Sequence, residues 1–166
     1  MPFASRYRDD ATPSLRPLDG MSVRRELDAE VMASLQKRSV DEISTRFAAG
    51  HRAYVAMMDD QPAAWGWVAT STADIGELGA HLTLNSDERY LWNFVTLPAY
   101  RGLGIYPRLL QAIMREEPAE AERFWIGYAP ENHASGAGIR KAGFVTAAEM
   151  SFDANGRPAL HAEMPR

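Results

Sequence analysis

Apolar and polar residues alternate along this chain in two rhythms, and the changes of rhythm mark out its elements. Val23, Leu27, Val31 and Leu35 recur every four residues with Arg24, Arg25, Asp28 and Glu30 between them. That spacing predicts an amphipathic helix over residues 21 to about 37. A second helix is expected from Ser39, where Glu42 three residues on completes a capping box, to about Gly50. Residues 52–58 (RAYVAMM) and 63–70 (AAWGWVAT) read as strands joined by turn chemistry at 59–62 (DDQP), an antiparallel hairpin. Residues 81–84 read as a short strand. Over residues 89–97, Tyr90, Leu91, Trp92, Phe94, Val95 and Leu97 show no polar alternation, so this strand is expected to be central with both faces covered. Ile105, Leu109, Leu110 and Ile113 then form a helical stripe that closes by residues 115–118. A strand at 123–129, a short helix at 132–142, a strand at 144–152, the hairpin signal Asn155-Gly156 and a last strand at 158–163 complete the series. Residues 1–20, with Pro2, Pro13 and Pro17, are expected to form a loosely held arm in which 14–18 add at most a short edge strand. The fold class is α/β (α+β), one mixed sheet with helices on its faces. Residues 21–166 form a single domain.

Composition removes several chemistries. The chain has no cysteine, so disulfides, thiolate metal sites and a cysteine nucleophile are excluded. His51, His81, His133 and His161 never fall at helical ligand spacing, and no metal centre is expected. A formal charge of −4 without a dense basic cluster argues against nucleic acid as a partner. No apolar run approaches the roughly 20 residues that cross a bilayer, and the opening MPFASRYRDD lacks the apolar centre of a signal peptide, so no membrane partner and a cytoplasmic location are expected.

Residues 93–110 (NFVTLPAYRGLGIYPRLL) concentrate the chemistry. An apolar strand turns at Pro98, passes Gly102 and Gly104, and enters a helix. Such a loop leaves backbone N–H groups without partners at the positive end of the helix dipole, which suits phosphate.

Residues 95–104 (VTLPAYRGLG), followed some thirty residues later by 132–144 (NHASGAGIRKAGF), resemble the GNAT superfamily of acetyl-CoA-dependent N-acetyltransferases. The first match is to the cofactor motif Arg/Gln-x-x-Gly-x-Gly/Ala after an x-Pro-x-x-Arg-Gly approach. The second is to the later Asn-x-x-Ala/Ser helix closing in Lys-x-Gly-Phe, here Asn132, Ser135, Lys141, Gly143 and Phe144. The resemblance implies a GNAT-like fold with a sheet of about six to seven strands, acetyl-CoA (coenzyme A) as cofactor, and an amine of a small molecule, peptide or protein as acceptor. It implies that Phe94, Val95 and Thr96 pair with the pantetheine like an added strand. Arg101, Gly102, Leu103, Gly104, Ile105, Tyr106 and Pro107 would hold the pyrophosphate, with Asn132 and Ser135 beside it and Arg108 within reach of the phosphates. Two departures stand out. Tyr106 replaces the last small residue of the first motif, and Ile139 stands where many members carry the tyrosine that protonates the leaving thiolate.

In the implied reaction the amine, having lost its proton, attacks the thioester carbonyl directly, and a backbone N–H near Thr96 holds the oxyanion. Glu131 is the candidate base, or else a first-turn carboxylate that simply suits the helix dipole. Tyr128 and Ser135 are the candidate proton donors. Glu77, His81, Tyr90, Trp92 and Asn93 are candidates for the acceptor pocket; for the aromatics, a core role is the alternative. Asn93, a polar amide among Trp92, Phe94 and Val95, needs partners if it is buried. A non-catalytic acyl-CoA-binding module and an unrelated nucleotide-binding protein stay open as other readings, as do monomer and homodimer.

Overall fold

Strand Glu88–Thr96 (β7) does lie inside the sheet in the computed structural model, which describes residues 1–76 and 79–162. Around it the described elements are β1 (Pro2–Tyr7), β2 (Met21–Glu26), α1 (Ala29–Gln36), α2 (Val40–Ala48), β3 (Arg52–Met58) and β4 (Gln61–Ala69). After these come β5 (Thr72–Ile75), β6 (Ala80–Thr83), then β7, α3 (Ile105–Glu116), β8 (Arg123–Gly127), α4 (His133–Lys141), β9 (Val145–Phe152) and β10 (Pro158–Ala162). Eight strands pair in the order β10-β9-β1-β8-β7-β4-β3-β2, while β5 and β6 form a hairpin of their own. The mixed sheet flanked by helices is as expected. Its strand list differs from the expected one, because β1 and β2 join it and residues 81–84 belong to the separate hairpin. Glu163, the expected end of the last strand, lies outside the described residues.

The expected helix from residue 21 to 37 is in fact a strand followed by a short helix. A spacing of four is a multiple of two as well as close to the helical turn, so Val23 satisfied both rhythms. Met21 and Val23 alternate with more exposed residues on β2, which pairs antiparallel with β3 from Met21–Met58 to Glu26–Ala53. Asp28 then caps α1, its side chain accepting the Glu30 N–H. Ser39 caps α2 and accepts from the Glu42 N–H, as the capping box predicted.

Residues 1–20 are not a loose arm. β1 lies between β8 and β9 and pairs antiparallel with both. Arg6, only 2% exposed, donates to the Ala142 carbonyl at 2.7 Å and to Asp10 and Thr12. Residues 14–18 form no strand. Pro13 and Arg16 instead run along α3, their carbonyls accepting from Gln111 (3.0 Å) and Arg108 (2.7 Å). Arg8 donates to the carbonyls of Met114, Glu117, Pro118 and Ala121, satisfying the open end of α3.

Alternate residues of β3 face opposite layers. Tyr54 and Ala56 join Leu91, Leu109, Leu110, Ile113, Phe124 and Ile139 under α3 and α4, whereas Ala53, Val55 and Met57 join Met32, Ile43 and Trp67 under α1 and α2. The β5–β6 hairpin covers the rest of that second face with Ala73, Ile75 and Ala80 against Phe3 and Tyr90. Trp92 packs against both of these last two clusters, so it marks the seam between the α1–α2 pair and the hairpin.

Candidate functional site

A mismatch in pairing creates the site. Trp67 pairs with Trp92 and Trp65 with Val95, so Gly66 alone faces Asn93 and Phe94, and β7 carries one extra residue. Asn93 adopts φ 54, the left-handed region that asparagine tolerates better than most side chains. Phe94 lies over Gly66, where a Cβ would stand 2.0 Å from the ring carbon Cε1. Gly66→Ala is therefore expected to cost about 1 to 3 kcal/mol, read as a lower denaturant midpoint at an unchanged slope.

Just before the bulge β7 separates from β8. Their parallel pairing ends at Leu91 with Ile126. Beyond that point residues 92–96 of β7 and residues 127–129, from the end of β8 onward, line a cleft of about 1090 Å³. The backbone edge of β7 that faces β8 has no strand partner there among the described residues, which leaves it open to an extended ligand.

The glycine loop closes one end of this cleft. Pro98–Tyr100 make a 3-10 turn, Gly102 and Gly104 take φ 79 and 78, and Gly104 caps α3 without a side chain to offer its amides. Among the described residues no acceptor takes the amide hydrogens of Gly102, Leu103, Gly104, Ile105 or Tyr106. A Cβ on Gly102 would meet nothing within 4 Å, so the loop borders open space. Pro107 in the first turn lacks an N–H that would have had no intrahelical partner. Arg101 donates from Nε to the Thr96 carbonyl at 3.1 Å and so ties the loop to β7, and Arg108 donates to the Gly104 carbonyl at 2.7 Å. Unpaired amides, a helix's positive end and nearby guanidinium groups suit a phosphate-bearing ligand.

Tyr106 turns across the cleft. Its ring packs on Phe94 at 5.5 Å and lies over Gly138 of α4, where a Cβ would be 2.5 Å from Cδ1. Its hydroxyl lies 3.4 Å from Ser135 Oγ. Burial pushes the Tyr106 phenol up to about 12, against the opposing effect of the Ser135 hydrogen bond, so it keeps its proton at neutral pH.

The cleft brings together most of the residues the motifs pointed to. Phe94, Val95 and Thr96 line it from β7, and Arg101, Gly102, Gly104, Ile105, Tyr106 and Pro107 from the loop and α3. Asn132, Ser135, Tyr128, Tyr90, Trp92 and Asn93 line it too. Leu103 is 49% exposed and does not line it. Neither does Glu131, exposed in the turn before α4, nor His81, which is exposed on β6 and paired with Asp74 at 2.6 Å. Glu77 lies outside the described residues. Asn132 spends its side-chain oxygen on capping α4 through the Ser135 N–H. Asn93 is exposed rather than buried, and its partners are side chains of α1 and α2: its Oδ1 accepts from Gln36 and Arg46. Ile139, on α4, is 1% exposed in the core and does not line the cleft. Ile75, Gly138 and Lys141 also line the cleft. Lys141 belongs to the second motif but was given no place in the site, and Ile75 and Gly138 were passed over; of these two only Gly138, an unexplained glycine within a helix, carried a signal. No helix among the described residues is long and apolar enough to cross a membrane.

Comparison with known proteins places this geometry. Residues 15–145 match the model of an acetyltransferase (GNAT) domain. No curated protein matches the chain. Among solved structures, a GCN5-related N-acetyltransferase from Kribbella flavida superposes with a TM-score of 0.58 at 16% identity, over 87% of this chain and 53% of its own. The chain thus spans about half the length of that protein. An aminoglycoside antibiotic 6'-N-acetyltransferase from Acinetobacter baumannii gives a TM-score of 0.59 at 17% identity over 81% of this chain and 97% of its own. YncA from Salmonella typhimurium, solved with its cofactor acetyl-CoA, gives 0.56 at 16% identity, over 80% and 84%. At these identities the likeness is one of fold.

Proposed function

Because the chain belongs to the GNAT acetyltransferase family, we propose that it transfers an acetyl group from acetyl-CoA to the amine of a small molecule, peptide or protein in a ternary complex. The observation that carries this reading is the union, in one cleft, of an unpaired strand edge at residues 92–96 with a ring of unpaired amides at residues 102–106. When bound, acetyl-CoA supplies the activated acyl group. Phe94, Val95 and Thr96 offer the pantetheine a strand to pair with, and the amides of Gly102, Gly104, Ile105 and Tyr106 hold the pyrophosphate at the positive end of α3. The Thr96 amide stabilises negative charge on the reacting carbonyl, a role in which one oriented donor contributes about 3 to 4 kcal/mol.

Proton traffic is assigned to the hydroxyls. Tyr128 and Ser135 line the cleft, and Ser135 is backed by the protonated Tyr106. Together they offer a donor in place of the tyrosine that Ile139 displaces. Glu131, one residue from the lining residue Asn132, takes the acceptor's proton through solvent. The acceptor enters along Tyr90, Trp92 and Asn93, which line the cleft. A cytoplasmic location, a monomer or homodimer and no nucleic-acid partner belong to the same reading.

Release of free thiol from acetyl-CoA, measured across a broad panel of amines, tests it. Acceptor-dependent release is expected. Tight coenzyme binding with no release on any amine would point to a non-catalytic acyl-CoA-binding module, the reading that the buried Ile139 favours.

A further inference from the structure

We infer that Gln36 and Arg46 are positioning residues: from the two helices on the far side of β7 they hold Asn93 in its left-handed conformation and so set the bulge that opens the cleft. The inference rests on the cleft being the acetyl-CoA site proposed above, and reaches residues that lie outside its lining and touch it only through Asn93 and Trp92.

The geometry is specific. A bulge of this kind ordinarily takes glycine at its first position, since a Cβ in the left-handed region costs energy. This chain has Asn93 there, at φ 54. Its Oδ1 accepts two hydrogen bonds, from Gln36 Nε2 at 3.1 Å and from Arg46 at 3.0 Å. Neither donor is loose. Gln36 Oε1 accepts from Trp67 Nε1 at 2.8 Å, which fixes the amide so that its NH₂ points at Asn93. Arg46 lies over the rings of both Trp67 and Trp92, 4.8 and 4.7 Å from their centroids, and pairs with Glu42 at 3.4 Å. Trp92 is held in turn by His51, whose Nδ1 accepts its indole N–H at 3.0 Å. The two tryptophans flanking the guanidinium are themselves the register partners that bracket the bulge on one side.

Because Asn93 is fixed from the α1–α2 side, Phe94 must turn to the opposite face, where it lies over Gly66 and against Tyr106. Val95 and Thr96 follow from that turn. If Asn93 relaxed to an ordinary extended conformation, the register with β4 would slip and the side chains beyond it would exchange faces. The residues that would meet the pantetheine are therefore aimed by side chains from α1 and α2.

Four variants separate this role from general packing: Asn93→Ala, Asn93→Gly, Arg46→Met and the double variant Arg46→Met/Asn93→Gly. Acetyl-CoA affinity is read by calorimetry, and the conformation of residue 93 by backbone carbon shifts without coenzyme. Asn93→Ala keeps the Cβ and loses both hydrogen bonds, and is expected to bind acetyl-CoA about ten-fold more weakly than Asn93→Gly, which adopts the left-handed region unaided. Arg46→Met, which keeps the aliphatic stem over the tryptophans, is expected to weaken binding about ten-fold in the natural chain and by less than about two-fold in the Asn93→Gly background. The shifts of residue 93 should leave the left-handed range in Asn93→Ala and Arg46→Met, and stay there in Asn93→Gly. Equal losses from Arg46→Met in both backgrounds, or unaltered shifts at Asn93 when Arg46 is replaced, would overturn the inference. The shifts decide it even if the natural chain binds no acetyl-CoA, an outcome that would remove the proposed function and leave the account of the bulge standing or falling on its own.

Discussion

Gly104→Glu is expected to weaken acetyl-CoA binding by at least about 100-fold, roughly 3 kcal/mol, while the domain stays folded. Three effects act together. Gly104 has φ 78, a conformation that costs an L residue about 1 to 2 kcal/mol. Its Cβ would stand 2.5 Å from an Arg108 guanidinium nitrogen, so that side chain must move. The new carboxylate would occupy the ring of unpaired amides and repel a pyrophosphate there. Arg108 is the far end of a flexible side chain and the loop is partly exposed, so the disturbance stays local. Gly104→Ala separates the terms, since it carries the strain without the charge and should lose only about ten-fold. Calorimetric titration with acetyl-CoA, alongside a thermal melt, checks both variants; undiminished affinity in Gly104→Glu would place the coenzyme elsewhere.

Glu117→Ala is expected to be the most destabilising single change outside the apolar core, by about 3 to 5 kcal/mol, a large share of the 5 to 15 kcal/mol typical of a domain. Glu117 follows the last turn of α3 with its side chain wholly buried. It accepts from Arg52 and Arg89 at 2.8 Å each and from the Tyr54 hydroxyl. These donors come from β3 and β7, so one carboxylate joins α3 to two strands. Removing it leaves Arg89, 4% exposed, as a buried cation without its carboxylate. Burial alone would raise the Glu117 pKa, but the hydrogen bonds from Tyr54, Arg89 and Arg52 outweigh it and hold the carboxyl below its ordinary value of 4.5. A depressed folded-state pKa gives stability that is present above the unfolded value and lost as pH falls through the folded one. The natural chain should therefore lose stability as pH drops below about 4.5, and Glu117→Gln should show less of that loss. Urea midpoints between pH 3 and 7 read both effects; a Glu117→Ala midpoint close to the natural one would sink the account of this cluster.

The parts of the fold that could be read from the sequence are those whose signals are local. The stripe of Ile105, Leu109, Leu110 and Ile113, the unbroken apolar run around Leu91, and the glycine loop each declare themselves within a dozen residues, and the structure has them where they were expected. β1 did not, because Ser5, Arg6 and Pro2 look like surface residues until β8 and β9, more than a hundred positions away, close on both edges. β2 was hidden by an even spacing that a helix and a strand share. Asn93 could be picked out as odd, but not its partners. Gln36 and Arg46 sit on helices that no local signal places beside it. Glu117 read as one more polar residue at a helix end, since nothing in its neighbourhood announces that Tyr54, Arg52 and Arg89 converge on it. His81 stands among the candidates for the acceptor pocket as a polar group beside the aromatics, whereas strand alternation turns it outward to Asp74.

The claim on which everything else depends is that the splayed edge of β7 and the amides before α3 form one coenzyme site. Titrating the isotope-labelled chain with acetyl-CoA and following backbone amide resonances tests it directly. The expected result is saturable shifts concentrated at Val95, Thr96, Gly102, Gly104, Ile105 and Tyr106, with little change along β2 and β3. Saturable shifts that leave the loop amides untouched, or none at millimolar acetyl-CoA, would contradict it.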